Sequence, residues 1–143
     1  MPELSFRRGD RRILLPIRVL GAENGSDMTS FAAMALLDTG ATVSGLGPAV
    51  VEALELRSHM KKRLLSATEE VFADYYLFRI GFYTSEQMDR IEESVSQWPF
   101  VFPEVEGFSW RRRADFDVIV GMDVLSQCDL EIRRSGTCQL RFG

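Results

Sequence analysis

The residues with the most chemistry in this chain are Asp38, Thr39 and Gly40, followed by Ala41, at the end of the apolar run 32–37. A strand that runs into a tight turn holds the turn's carboxylate out at its tip. One such carboxylate is an ordinary turn residue. Two of them a few ångströms apart cannot both ionise cheaply, so they share one proton. The pair is then a base and an acid side by side, and together they can activate a water and protonate the leaving amine of an amide. The chain holds one Asp-Thr-Gly, so a pair needs a second copy of the chain, with one Asp38 from each.

The tripeptide alone is weak, because at average composition it arises by chance in about 2–3% of chains of this size. Its setting is more informative. Ala35-Leu36-Leu37 before it and Ala41-Thr42-Val43-Ser44 after it read as strand, tight turn, strand. Further on, Phe116-Asp117-Val118-Ile119-Val120 is a second apolar strand that ends at Gly121, and Met122-Asp123-Val124-Leu125 opens a helical pattern.

With these residues in place the sequence resembles the retropepsin-like aspartic peptidases. The matching segments are Leu36-Leu37-Asp38-Thr39-Gly40-Ala41, Val118 to Leu125, and the closing stretch 129–142. The resemblance implies an all-β chain with short helices, a retropepsin-like acid-protease barrel carrying one half-site. It implies a homodimer that cleaves polypeptide substrates with two Asp38 carboxylates. Thr39 would lock the two turns together, Ala41 would line the cleft, and Gly121 would let its strand pass close beneath the catalytic loop. Asp123 takes a structural, bracing role. Gly40 suits the close backbone approach of such a turn. Residues 61–67 and 71–83 are two β-rich stretches, which the resemblance makes a flap over the substrate. Thr68, Glu69 and Glu70 stand at its tip, where many relatives carry glycine. In the family the terminal strands form the subunit interface. The stretch 130–142 would leave an unpaired edge open to a second copy, burying Leu140 and Phe142.

The surrounding elements follow from local signals. Residues 12–20 read as a strand, with Pro16 marking an edge or a bulge, and 21–30 as a hairpin loop. Residues 48–54 suit a short helix with proline in its first turn. Met88, Ile91, Val95 and Trp98 fall on one helical face of 84–97, and Thr84 with Gln87 fits a capping box. The stretch 84–114, rich in aromatics, is longer than compact relatives need and reads as an insertion in a single domain, 1–143. Its aromatics either complete the core or form a lid or partner patch beside the cleft.

Composition bounds the rest. A chain of 143 residues with 45% hydrophobic content fits one globular domain. A net charge of −4 implies no general affinity for nucleic acid. Arg7-Arg8, Arg11-Arg12 and Arg111-Arg112-Arg113 are local basic clusters, read as solvated charge or as a phosphate or acidic-peptide site. No apolar window is long enough to span a membrane, and 1–7 lacks a signal-peptide core, so the chain is expected in the cytoplasm. A two-residue turn at Ser135-Gly136 would set Cys138 opposite Arg133 and leave Cys128 too far away for a disulfide. Two free thiols fit a reducing compartment. The single histidine, His59, reads as exposed and inert. It cannot build a zinc site with two separated cysteines, and Asp115, Asp117 and Asp123 lack calcium-loop spacing. No metal or cofactor is implied.

Two rival readings remain beside the peptidase. One is a binding or adaptor module on the same fold with little turnover. The other is a β-rich domain with a chance Asp-Thr-Gly turn.

Overall fold

The computed structural model describes residues 2–65, 70–89 and 100–143, with the backbone alone for 64, 65, 70 and 71. The described elements are strands β1 (Glu3–Arg7), β2 (Leu14–Gly21), β3 (Ser30–Leu37), β4 (Gly45–Leu46), β5 (Met60–Leu65), β6 (Glu70–Phe82), β7 (Phe100–Ser109), β8 (Val118–Val120), β9 (Asp129–Ile132) and β10 (Thr137–Arg141). Three short helices join them: α1 (Pro48–Ala53), α2 (Ser85–Asp89) and α3 (Met122–Leu125).

The main sheet runs β2-β3-β8-β4-β7-β6-β5, and a second pairing of β2 with β6 closes its first six strands into a barrel. The alternation of each strand fills the interior. Leu15, Ile17 and Val19 of β2, Ala33, Ala35 and Leu37 of β3, and Phe78, Ile80 and Phe82 of β6 are all buried. Strand β2 meets β6 only from Arg18 onward. Pro16 therefore sits where β2 is still an edge, paired with β3 alone through Met34, a place that tolerates a missing donor.

A three-stranded sheet, β1-β10-β9, packs beside the barrel. Here two expectations are corrected. The hairpin register sets Cys138 opposite Ile132, not Arg133. Its loop is one residue longer than a two-residue turn, with Arg133 N–H donating to Thr137 C=O at 3.0 Å and Gly136 at φ +97°, a conformation glycine adopts without penalty. Both cysteines are still free thiols. Leu140 and Phe142 are not left for a partner to bury, because they are 0% and 1% exposed within the chain itself. β1 covers β10 on the side away from β9, and Phe142 closes a ring of four aromatics. Its ring lies 5.5 Å from Phe82 and 5.4 Å from Phe100, and Phe102 lies 5.6 Å and 5.4 Å from the same two.

Within 84–114, residues 100–109 form β7, a barrel strand between β6 and β4. The β6–β7 register shifts between Phe78 and Ile80, opposite Pro103 and Glu104, so the proline sits in a bulge. Phe102 is buried, and Trp110 packs on Phe116 at 5.7 Å between ring centres. The described aromatics of this stretch thus contribute to packing. At α2, Thr84 N–H donates to Gln87 Oε1 at 3.0 Å and Gln87 N–H to Thr84 Oγ1 at 3.3 Å, the reciprocal capping box. Residues 90–99, with Ile91, Val95 and Trp98, lie outside the described residues. Helix α1 begins with Pro48 in its first turn.

Candidate active site

Asp38 is placed by two strands at once. β3 carries the chain out of the core beside parallel β8, with Leu37 opposite Val120. Asp38 N–H then donates to Val120 C=O at 2.9 Å, and Leu37 N–H to Ile13 C=O at 2.9 Å. The chain next turns sharply. Gly40 N–H donates to the Asp38 Oδ1 carboxylate oxygen at 2.9 Å, and Ala41 N–H to Asp38 C=O at 3.2 Å. The carboxylate is fixed by its own turn while its residue stays half-buried, with Thr39 and Gly40 exposed. A Cβ on Gly40 would lie 3.2 Å from that carboxylate oxygen, so only glycine sits there without crowding it.

Beneath the turn, the corner between β8 and α3 crosses the chain 41–44 at contact distance. Met122 N–H donates to Ala41 C=O at 2.7 Å and Asp123 N–H to Thr42 C=O at 3.2 Å. Gly121 is the crossing point. A Cβ there would lie 2.8 Å from the Ala41 carbonyl oxygen and 2.8 Å from the Val43 carbonyl carbon. Both are backbone atoms and cannot move aside alone.

Asp123 braces this crossing. Its Oδ1 accepts from Ser44 Oγ–H at 2.7 Å and from Val124 N–H at 3.0 Å, and its Oδ2 from Ser44 N–H at 3.0 Å. Ser44 is fully buried, and its Oγ also accepts from Gly121 N–H at 3.0 Å. Sequence reasoning passed over Ser44 as one more extended residue. The only signal was a polar side chain followed by the small, apolar Gly45-Leu46, where a buried hydroxyl needs a partner.

The flap positions divide. Strands β5 and β6 form an antiparallel hairpin in which Leu65 faces Glu70. Glu70 therefore opens β6, while Thr68 and Glu69 lie outside the described residues. His59 is exposed, as expected, with its Nε2 3.6 Å from Glu106 Oε2. Among the described residues, no group of three or more His, Cys, Asp or Glu is placed to hold a metal ion. No described helix is long and apolar enough to cross a membrane.

A second residue that the sequence did not single out is Arg79 on β6, 6% exposed. Its Nε donates to Gly21 C=O at 2.7 Å and its Nη1 to Gly25 C=O at 3.0 Å. Its Nη2 donates to the carbonyls of Asn24 and Asp27. A buried guanidinium thus organises the β2–β3 loop through carbonyl oxygens, which satisfy its donors without a buried carboxylate.

Comparison with solved structures places this architecture. The chain is similar to a retropepsin-like aspartic protease from Rickettsia conorii, with a TM-score of 0.61 and 15% identity over 98% of this chain and 90% of that one. It also matches the retroviral protease-like domain of Ddi1 from Leishmania major, with a TM-score of 0.39 and 13% identity over 85% and 82% of the two chains. No family model and no curated protein matches. The fold is an all-β, retropepsin-like barrel, one that aspartic proteases use.

Proposed function

We propose that this protein is an aspartic endopeptidase whose active site forms between two copies of the chain, each contributing Asp38. One observation carries the reading: a half-buried carboxylate, held by Gly40 N–H on a turn braced from below by the Gly121 crossing, on a retropepsin-like barrel. One chain carries one such carboxylate. Two of them facing each other across a two-fold axis would share a proton. The ionised member takes a proton from a water, which attacks the peptide carbonyl. The protonated member gives its proton to the carbonyl oxygen, and as the resulting diol collapses the first member passes the water's proton to the leaving amine while the second takes one back from a diol hydroxyl. The two apparent pKa values belong to the pair rather than to either residue.

In this reading Thr39 and Ala41 face the second copy and the cleft, and the β5–β6 hairpin with Thr68, Glu69 and Glu70 covers the substrate. Residues 1–143 act as one domain, in which the 84–114 stretch is longer than the fold requires. The two free thiols fit the reducing cytoplasm.

The test is cleavage of a diverse peptide mixture at several pH values from acid to neutral, beside Asp38→Asn. Cleavage by the parent, and none by a variant that keeps the parent's unfolding curve, is the expected outcome. A dimeric parent that cleaves nothing, or a variant that cleaves equally well, would overturn the reading.

A further inference from the structure

The arginines are unevenly spread over a chain of net charge −4. One set lies at the end of β1 and in the turn to β2, as Arg7, Arg8, Arg11 and Arg12. Another lies between β7 and β8, as Arg111, Arg112 and Arg113. The fold joins them at one point. Arg12 Nη1 and Nη2 donate to Asp115 Oδ1 and Oδ2 at 2.9 and 2.5 Å, a two-pronged ion pair across 103 residues of sequence. The hydrogen bonds hold Asp115 below the usual carboxylate range and raise Arg12 further.

Not all of these cations are available. Arg7 and Arg8 donate to the carbonyls of Ser135, Gly9, Asp10 and Arg134, tying the β1–β2 turn to the terminal hairpin. Arg12 is committed to Asp115. Arg11, Arg111, Arg112 and Arg113 are exposed, and among the described residues they make no hydrogen bond or ion pair. Four uncommitted guanidiniums therefore flank one fixed pair.

The corner lies beside Asp38. Leu14 faces Leu36 in the β2–β3 register, and Leu37 N–H donates to Ile13 C=O. Arg12 is therefore one residue from the Ile13–Leu37 bond that immediately precedes Asp38. A polypeptide lying across Asp38 must run past this rim.

We propose that the arginine corner selects substrates, with Arg11, Arg111, Arg112 and Arg113 binding Asp or Glu side chains a few residues from the bond cleaved at Asp38. The proposal rests on the peptidase reading above and adds the substrate class, acid-rich segments of polypeptide. The guanidinium fork matches a carboxylate in two-pronged geometry. Each exposed pair is weak, but several cations around one path act together and steer an acidic chain toward the cleft. Nucleic acid fits less well. Asp10 and Asp115 put carboxylates in the same corner, which repel phosphates, and Trp110 is already engaged with Phe108 and Phe116 rather than standing free as a stacking platform.

The test compares two peptides that share a cleavable centre and differ only in Glu or Gln flanks. The Glu peptide should show about tenfold higher kcat/KM at low salt, and the ratio should fall toward one at high salt. Replacing Arg11, Arg111, Arg112 and Arg113 together by Gln should also bring the ratio to about one. The salt series needs only the parent chain, so it decides the matter even if the fourfold variant does not fold. Equal kcat/KM for the two peptides at low salt would overturn the selection while leaving the peptidase intact. If neither peptide is cut, the peptidase reading fails instead, and fluorescence anisotropy with the same peptides decides the corner alone. Tighter binding of the Glu peptide sustains an acid-binding corner. Equal binding, or tighter binding of a single-stranded oligonucleotide of matched charge, overturns it.

Discussion

Replacing Ser44 by alanine removes one oxygen and tests how the Asp38 turn is held. That oxygen donates to a carboxylate, Asp123 Oδ1, at 2.7 Å and accepts from Gly121 N–H at 3.0 Å. A hydrogen bond to a charged group contributes about 1.5–3 kcal/mol, and a buried N–H left without a partner costs about 1–3 kcal/mol. The two share one hydroxyl, and Asp123 keeps the Ser44 and Val124 amides, so the terms do not simply add. We expect a loss of about 2–4 kcal/mol, a large share of the roughly 5–15 kcal/mol that holds a typical domain. Urea unfolding of the parent, Ser44→Ala, Asp123→Asn and the double variant would measure it, with a coupling of about 1 kcal/mol or more between the two sites. A Ser44→Ala loss under about 0.5 kcal/mol, as for an ordinary surface change, would refute the reasoning. So would strict additivity with Asp123→Asn.

Three further outcomes follow from the same geometry. Gly121→Ala should cost about 2–3 kcal/mol in chemical unfolding, because its Cβ meets backbone on two sides; unchanged stability would mean that the crossing is not tight. Phe142→Ala should cost about 3–5 kcal/mol, and by the same amount at low and high protein concentration. A loss that grows on dilution would instead assign Phe142 to an interface. Burial, followed by the charge of Asp129, pushes the Cys128 thiol up to about 11 from 9.0. Alkylation of Cys128 near pH 8 should therefore run about a hundredfold slower than for an unhindered thiol. The unfolded chain ionises this thiol first, so its contribution to stability is complete below about pH 9 and is lost as pH rises toward 11.

What the sequence made legible was local. The Asp38 turn, the proline-led helix α1 and the Thr84–Gln87 box depend on residues a few positions apart, and each stands where the spacing placed it. What it hid was long-range. The hairpin register turned on whether Gly136 would take a positive φ, a choice that the dipeptide Ser135-Gly136 leaves open. Leu140 and Phe142 found their cover on β1 and the barrel, at the far end of the sequence from the hairpin. Strand β7 was obscured because Pro103 and Gly107 interrupt its alternation, and the bulge opposite Arg79 absorbs the proline. Arg79 carries no local signature and Ser44 only the apolar Gly45-Leu46 after it, since their partners lie more than 50 residues away.

Strand β6 has one consequence for motion. From Tyr75 to Phe82 it is bonded to β7, and from Phe78 to Gly81 also to β2. From Glu70 to Tyr75 it is also bonded to β5, and short of Tyr75 β5 is its sole strand partner among the described residues. The strand is thus a beam built into the barrel wall at one end and carried only by β5 at the other, with its fulcrum at Tyr75, whose carbonyl receives His59 N–H at 2.7 Å. A two-stranded ribbon is marginal by itself. Amide exchange should therefore step sharply along this one strand, slow beyond Tyr75 and fast before it, so that the hairpin can open without disturbing the wall that carries it.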